Sequence, residues 1–295
     1  MIKQTLMFTS PVSLSLKDKQ IVIAFKDNKD TVTRPIEDIG FVIIENPMVS
    51  ITVPLLNELA DNNVSVVFCD KKQMPKTMLM TLEGNTTQQE SYKYQLEASA
   101  PIKKNVWKQL VESKIRNQSL LLNKLRKNGD VLKQYYMNVK SGDTDNREGA
   151  AAREYWSRLF DEGFKRDREG IPPNNLLNYG YTVLRAAVSR ALIGSGLYPA
   201  FGVFHRNRYN AFPLADDVME PYRPFVDEIV HYLYFEEGVT ELDYQSKSKL
   251  LRLLFSDVKI GKVTRPLENA LSITTASLLK MFKGETDKLS LPSIT

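Results

Sequence analysis

Cysteine and histidine, which carry much of the metal and nucleophilic chemistry of proteins, are scarce in this chain. The single cysteine, Cys69, excludes a disulfide within the chain, and its place at the end of the apolar run 64–69 indicates a packed thiol. Only His205 and His231 can supply an imidazole. His231 lies in the apolar helical run 229–234, which predicts a structural, hydrogen-bonded side chain.

Long apolar runs and a secretory leader are also missing. The chain begins without a basic segment followed by an apolar stretch, and no later run is long enough to span a bilayer. We therefore expect a cytoplasmic protein with no membrane segment. The Gly-x-x-x-x-Gly-Lys-[Ser/Thr] phosphate loop is absent too, so the sequence does not predict nucleotide hydrolysis of that class.

Positive charge is concentrated in the middle third of the chain. Residues 1–100 carry 10 basic and 12 acidic side chains, residues 101–210 carry 20 and 10, and residues 211–295 carry 10 and 13. The net charges are therefore −2, +10 and −3. A basic block of this size favours a polyanionic partner such as nucleic acid, although solvated helix faces account for part of such charge in many proteins.

The periodicity of the apolar residues predicts an α+β protein with two domains. Alternating apolar residues in 12–16 and 20–25, joined by a short polar turn, predict a β-hairpin, and 40–44 and 64–68 have the length and β-branched composition of strands. We predict a β-rich domain over 1–75 and a linker over 76–89, where the periodic pattern is interrupted. An α-helical domain should follow over 90–295.

The second domain should be nearly all α-helical. Apolar residues from Val106 to Leu122 recur at spacings of three, four and seven, which predicts a long amphipathic helix that ends near Gly129. The segment 141–145 has the composition of an exposed turn. Further helices are predicted at 146–162, 176–195, 218–236, 243–256 and 265–283.

Four acidic or imidazole side chains are candidates for chemistry, and each has a plain structural alternative. His205 follows an apolar, glycine-rich segment and precedes a basic one, but a lone histidine is more often structural than catalytic. Asp217 and Glu220 are three residues apart and share a helix face, where like charges repel unless a cation lies between them. Glu148, at a predicted helix start, would also complement the helix dipole with no further role.

Taken together, three segments resemble the motifs of the CRISPR-associated Cas1 integrases, the family that acquires spacers. These are EGAAAREYW (148–156), GLYPAFGVFHR (196–206) and LADDVMEPYRP (214–224), and WKQLVESKIRNQ (107–118) and NYGYTVLR (178–185) are also similar to the family. Each segment alone is weak evidence, whereas their order and separation are specific. The resemblance covers essentially the whole chain.

The resemblance implies a divalent metal site formed by Glu148, His205 and Glu220. Many relatives have aspartate at the third position, and the glutamate here is similar to the type II CRISPR branch. Asp217 is then the auxiliary acid of the catalytic set. Carboxylate oxygens suit Mg²⁺, and the imidazole suits Mn²⁺ equally well. We therefore expect Mg²⁺ or Mn²⁺ as the cofactor.

The implied function is the insertion of short DNA fragments into a repeat array by attack of a 3′-hydroxyl on a phosphodiester. Implied partners are double-stranded DNA, a second copy of the chain bound through the β domains, a small ferredoxin-like adaptation protein, and the accessory proteins of type II systems. Ten basic residues are predicted to contact DNA, and ordinary surface charge is the alternative for each: Lys103, Lys104, Lys108, Lys114, Arg116, Arg147, Arg153, Arg206, Arg208 and Arg223.

Two other functions remain open at this stage. A metal-dependent nuclease acting on branched or single-stranded DNA would use the same residues, because water can replace the 3′-hydroxyl as nucleophile. A catalytically silent DNA-binding assembly protein would keep the basic residues without using the metal ligands.

Overall fold

The computed structural model describes residues 4–26, 31–81, 83–161, 163–167, 170–205 and 207–295. The chain divides into two compact units, with the division between Gly84 and Asn85, inside the segment that we predicted as a linker. The first unit is mostly strand and the second mostly helix, so the predicted α+β class is confirmed.

The described part of the first unit contains two four-stranded sheets and one helix. Its elements in chain order are β1 (Gln4–Phe8), β2 (Val12–Lys17), β3 (Gln20–Phe25), β4 (Thr31–Pro35), β5 (Ile39–Ile44), β6 (Ser50–Ile51), α1 (Val53–Asp61), β7 (Ser65–Cys69) and β8 (Pro75–Leu79). The strand orders are β1-β5-β7-β8 and β4-β3-β2-β6. The predicted hairpin is β2 and β3, paired antiparallel from Val12 opposite Phe25 to Lys17 opposite Gln20.

The core of the first unit explains why its central strands are so apolar. Every residue of β5 is buried, since this strand pairs in parallel with β1 on one side and β7 on the other. Helix α1 contributes Leu55 and Leu59 to the same core. Strand β8 lies in the segment that we predicted as linker, and its half-exposed, polar composition explains why it was missed.

The second unit is built around one long helix. Its elements are α2 (Gln88–Glu97), α3 (Ala100–Lys124), α4 (Lys133–Tyr136), α5 (Arg147–Leu159), α6 (Asn174–Gly194), α7 (Pro213–Met219), α8 (Arg223–Phe235), α9 (Tyr244–Leu251), β9 (Asp257–Ile260), β10 (Val263–Pro266), α10 (Leu267–Phe282) and β11 (Pro292–Ser293). The buried side of α3 includes the apolar residues that set the predicted period: Val106, Trp107, Leu110, Val111, Ile115 and Leu122.

The second unit differs from the prediction in three features. Helix α3 ends at Lys124, before Gly129, and Arg126 then adopts a positive φ of 58°. The predicted helix 218–236 is interrupted by a 3-10 turn, Glu220–Tyr222, because Pro221 and Pro224 have no amide hydrogen to continue the helical pattern. The unit also contains a small sheet of order β10-β9-β11, which the expectation of a nearly all-α domain did not include.

Within the described ranges, every helix is too short or too polar to cross a bilayer.

Candidate active site

Glu148 and Glu220 meet at the ammonium of Lys114. Lys114 Nζ lies 2.5 Å from Glu148 Oε1 and 2.5 Å from Glu220 Oε2. The three side chains come from α5, from the 3-10 turn after α7, and from the middle of α3. Glu148 lies 34 positions after Lys114 in the sequence, and Glu220 lies a further 72 positions on. The packing of α3 against its neighbours brings the three side chains together.

Burial and charge oppose each other at this point. Burial disfavours the charged form of Lys114, but the carboxylates of Glu220 and Glu148 outweigh it and raise the pKa of the ammonium. Burial likewise disfavours the Glu220 carboxylate, and Arg223 and Lys114 outweigh it, so the pKa of Glu220 is lowered. Lys114 and Glu220 are therefore both charged near neutral pH although their side chains are largely buried.

The position of Glu148 is set by the polar turn that precedes α5. Asn146 caps the helix by accepting the Gly149 amide at 3.2 Å. Asp143 accepts the amides of Arg147 at 2.8 Å and Glu148 at 3.1 Å. The side chain of Asp143 is buried, so the expectation of an exposed turn at 141–145 is wrong at this residue. The turn supplies the oxygens that the first helical amides need.

His205 is held by Asp217 and not by the other two acids. His205 Nδ1 lies 2.6 Å from Asp217 Oδ1, and Asp217 also accepts the backbone amides of residues 203, 204 and 205 at 2.7, 3.1 and 3.2 Å. The hydrogen bond to Asp217 raises the pKa of His205, and the negative charges of Glu220 and Glu148 act in the same direction. Since Nδ1 is engaged, Nε2 is the ring nitrogen available to a ligand.

Gly202 makes this arrangement possible. A Cβ at this position would lie 2.9 Å from Pro213 Cβ and 3.0 Å from Asp217 Oδ2. The loop that carries His205 can therefore pass directly over the start of α7 only if residue 202 has no side chain.

The donor chemistry of the cluster fits a hard divalent cation. The carboxylates of Glu148 and Glu220 converge on one positive charge, and both raise the pKa of His205 through their negative charge. In the described part of the chain, however, no three acidic, histidine or cysteine side chains are arranged closely enough to hold a metal as they stand. The ligand set Glu148, His205 and Glu220 therefore stays a prediction, as does the catalytic role of Asp217.

Arg223 connects Glu220 to a buried network behind it. Its Nε lies 2.9 Å from Glu220 Oε1, and its guanidinium stacks 4.6 Å from the ring centre of Tyr181. Tyr181 donates a short hydrogen bond to Asp227, and Tyr155 donates a second one at 2.7 Å. Burial raises the pKa of Asp227 to about 6, although both tyrosine hydrogen bonds act against this. Arg223 is thus held on two sides.

An aromatic pair forms one side of the histidine. The ring of Trp107 stacks on Phe204 with centroids 4.0 Å apart and an angle of 3° between the planes, and its centroid lies 5.6 Å from that of His205. Trp107 is buried, whereas Phe204 is 43% exposed. The sequence contained a signal for Trp107, an apolar position of α3, but not for its partner.

His231 is separate from this cluster. It packs against Phe160 and Phe235, and burial lowers its pKa to about 4. The hydrogen bond that we expected is not found at Nε2 among the described residues.

The ten basic residues predicted to contact DNA fall into distinct environments. Lys114 and Arg223 are engaged by carboxylates in the cluster. Lys104, Arg116, Arg153 and Arg208 are exposed, and Lys103, Lys108 and Arg147 are half-buried. Lys108 and Arg147 have weak ion pairs at 3.6 and 3.8 Å. Arg206 lies outside the described residues.

Comparison with known proteins identifies the family of this chain. The family model described as "CRISPR associated protein Cas1" matches residues 6–269. A CRISPR-associated endonuclease Cas1 from Neisseria meningitidis serogroup C (strain 8013) is 37% identical over 303 residues, which cover 99% of this chain and 96% of the relative.

Solved structures have the same fold at lower sequence identity. A casposase bound to integration product superposes with a TM-score of 0.79 at 20% identity, covering 98% of this chain and 93% of that one. A CAS1 protein from Thermotoga maritima has a TM-score of 0.74 at 19% identity and covers 99% and 100%. A chain of a Cas6-RT-Cas1–Cas2 complex has a TM-score of 0.74 at 19% identity and covers 97% of this chain and 35% of that one.

Proposed function

Because the chain belongs to the Cas1 family of CRISPR-associated endonucleases and integrases, we propose that it inserts short DNA fragments into a repeat array by metal-dependent transesterification. The observation that carries this proposal is that Glu148 and Glu220 converge on the ammonium of Lys114, and that both carboxylates act on the pKa of His205. The likeness of the fold to a casposase bound to integration product supports the same reaction class.

The reaction exchanges one phosphodiester for another. The 3′-hydroxyl oxygen of the incoming fragment forms a bond to a phosphorus of the repeat DNA, and the bond from that phosphorus to the original 3′-oxygen breaks. The proton of the attacking hydroxyl is lost and the departing oxygen gains one. Bonds balance without an external energy source, which agrees with the absence of a phosphate loop in the sequence.

Glu148, Glu220 and Nε2 of His205 would hold the divalent cation, Mg²⁺ or Mn²⁺, which when bound supplies Lewis acidity to the phosphodiester and orients the nucleophile. Asp217 fixes the ring of His205 through Nδ1, so we propose a positioning role for it. Arg223 neutralises the charge of Glu220 from the side opposite Lys114. Fixed positive charge of this kind stabilises the negative charge that develops during attack.

For partners we propose double-stranded DNA, a second copy of this chain and a small ferredoxin-like adaptation protein. The structural likeness to a chain of a Cas6-RT-Cas1–Cas2 complex supports such an assembly. Since the proposed substrate is DNA that contains a repeat array, we propose the cytoplasm as the location.

The test is an integration assay with a product readout. Purified protein and its adaptation partner are incubated with Mn²⁺, a labelled short duplex and a supercoiled plasmid that contains the repeat. Covalent transfer of label into the plasmid is expected. Release of plasmid fragments without transfer would favour the nuclease alternative, and DNA binding without either product would favour the silent assembly protein.

Variants of the three ligands make the assay specific. Glu148→Ala, His205→Ala and Glu220→Ala should each reduce transfer by about a hundredfold or more, because each removes one ligand of the catalytic ion. Lys259→Gln, an exposed lysine of β9 outside the cluster, is the matched control and should retain transfer. Wild-type transfer by all three alanine variants would contradict the proposed site.

A further inference from the structure

Lys114 differs from the other lysines that form ion pairs in the described part of the second unit. Its side chain is 11% exposed and it contacts two carboxylates from two different elements. The pair of Lys133 with Asp130 is a useful contrast: it has a similar distance, 3.0 Å, but the lysine is 52% exposed and the partners are neighbours on one turn. A surface pair of the second kind contributes little to stability. Lys114 therefore has a role beyond a surface ion pair.

Two nearby carboxylates in a dry environment require a compensating cation. Without Lys114, Glu148 and Glu220 would repel each other, with only Arg223 beside Glu220 to offset the repulsion. The ammonium binds Oε1 of Glu148 and Oε2 of Glu220, so it occupies the space between the two carboxylates that would hold a divalent cation. Arg223 binds the other oxygen of Glu220, Oε1, and so does not compete for the same atom.

We propose that Lys114 is an internal counter-cation that occupies the carboxylate pair in the metal-free protein and that the divalent cation displaces. This inference rests on the proposed function, since it takes Glu148 and Glu220 as metal ligands. Metal binding then replaces one cation by another. The contacts that Lys114 loses make the free energy of metal binding less favourable. Among the described residues the ion pairs of Lys114 are those with Glu148 and Glu220, so the displaced ammonium needs a new anion.

A DNA phosphate is the anion that the proposed reaction brings to this place. If the displaced ammonium binds phosphate, DNA favours the exchanged state, and metal and DNA each strengthen the binding of the other by the same factor. Lys114 thus couples loading of the metal to the presence of substrate. In the absence of DNA the same lysine keeps the affinity for the metal low.

The primary test is Mn²⁺ affinity, measured by isothermal titration calorimetry or by the electron paramagnetic resonance of free Mn²⁺. Lys114→Met should bind Mn²⁺ about tenfold more tightly than the wild type, because the competing charge is gone. Lys133→Met removes an exposed lysine of the same unit and should stay within about twofold of the wild type. Lys114→Arg keeps the charge and should not tighten Mn²⁺ binding.

Thermal unfolding gives a second readout that does not depend on activity. Metal-free Lys114→Met should unfold at a lower temperature than the wild type, since Glu148 loses the ammonium and Glu220 keeps only Arg223 as a counter-ion. Added Mn²⁺ should raise its unfolding temperature by more than it raises that of the wild type. If Lys114→Met is unfolded without metal, recovery of its circular dichroism on addition of Mn²⁺ supports the proposal, and Lys114→Gln provides the affinity measurement.

The third measurement adds a short DNA duplex to the Mn²⁺ titration. Duplex should tighten Mn²⁺ binding more in the wild type than in Lys114→Met, because only the wild type has an ammonium to transfer to phosphate. An equal gain in both proteins would overturn the coupling between metal and DNA.

The outcomes distinguish this inference from the proposed function. Suppose that Glu148→Ala and Glu220→Ala abolish Mn²⁺ binding. If Lys114→Met then binds Mn²⁺ no more tightly than the wild type, the counter-cation role of Lys114 is overturned and the proposed metal site stands. Mn²⁺ binding that is unaffected by Glu148→Ala and Glu220→Ala overturns both.

Discussion

His205 Nδ1 lies 2.6 Å from Oδ1 of Asp217, a carboxylate with no exposed surface. The same carboxylate accepts the amides of Val203, Phe204 and His205 itself. Asp217 therefore orients the imidazole and the backbone that carries it in one step. A residue that the sequence indicated as an auxiliary acid is, by its contacts, the support of the histidine.

Asp217→Asn should destabilise the protein. The amide nitrogen of asparagine is a donor and would face a backbone N–H or the imidazole, where the carboxylate oxygen of Asp217 accepts. Hydrogen bonds would therefore be lost at a buried position. We expect a loss of about 2 to 4 kcal/mol in the free energy of unfolding, measured in urea. Asp216→Asn is the control: this half-buried neighbour pairs with Arg185, and its loss should be about 1 kcal/mol. Equal losses would contradict the special role of Asp217.

The same substitution should lower the pKa of His205, which the hydrogen bond to Asp217 raises. The stabilisation from protonated His205 is complete below the pKa of an unfolded histidine, about 6.5, and is lost as pH rises through the raised folded value. Asp217→Asn should remove this part of the pH dependence. Nuclear magnetic resonance can follow the titration directly, because His231 is the only other histidine. An unshifted His205 titration would be evidence against the contact.

The buried acid between the two tyrosines should make stability fall as pH rises. Burial raises the pKa of Asp227 to about 6, whereas an unfolded aspartate has a pKa of about 3.9, so the folded state binds more protons between these values. Asp227→Asn carries no such proton. The stability of the wild type relative to Asp227→Asn should therefore decrease by about 2 kcal/mol between pH 4 and pH 6.

The comparison between the two proteins is necessary because His231 acts in the opposite direction. Its pKa is lowered to about 4, so it makes the folded state more stable as pH rises through the acid range. This contribution is the same in both proteins and cancels in the difference. A difference that is constant with pH would show that Asp227 is ionised throughout.

Gly180 should be intolerant of a methyl group because of one contact between α6 and α8. A Cβ on Gly180 would lie 2.5 Å from Cγ1 of Val226. We expect Gly180→Ala to destabilise the protein by about 1 to 3 kcal/mol through overpacking. Val226→Ala should relieve the clash, so the double variant should be more stable than the sum of the single effects predicts by about 1 kcal/mol.

Gly163→Ala is the control for Gly180→Ala, since a Cβ at residue 163 meets no described atom within 4 Å. Its free energy of unfolding should change by less than about 0.5 kcal/mol. If the free energies of the two single variants, Gly180→Ala and Val226→Ala, simply add in the double variant, then α6 and α8 move apart to accept the methyl group.

DNA binding should depend steeply on salt, because each neutralised phosphate releases counterions. The exposed side chains Lys104, Arg116 and Arg153 are the sharpest candidates. Replacing all three by glutamine should reduce the slope of log K against log salt by about 3 for a short duplex. Lys259→Gln should leave the slope unchanged. Affinity that is nearly constant between low and high salt would contradict the predicted basic surface.

Several features of this protein followed from the sequence because they depend on neighbours along the chain. The β2–β3 hairpin follows from residues that alternate over short distances, and the buried side of α3 follows from its apolar spacing. The break before α8 could also have been inferred from Pro221 and Pro224. The family followed from five segments in order, each too short to be specific alone.

The site could be predicted only as a set of residue types. Glu148, His205 and Glu220 were nominated through their motifs, while the contacts that organise them were not. Asp143 looked like part of an exposed turn, and Lys114 looked like one more basic residue of an amphipathic helix. Nothing local distinguishes Lys114 from Lys108, which lies on the same helix and has only a weak surface pair.

What the sequence determined by itself was therefore the period of each element, the charge of each third of the chain and the membership of a family. What only the tertiary structure decided was which charges meet. Ion pairing depends on distances between elements, and the packing of α3 against α5 and the turn after α7 brings Lys114 to Glu148 and Glu220. Burial then decides the consequence, because the same ammonium would be an ordinary solvated charge if it faced water.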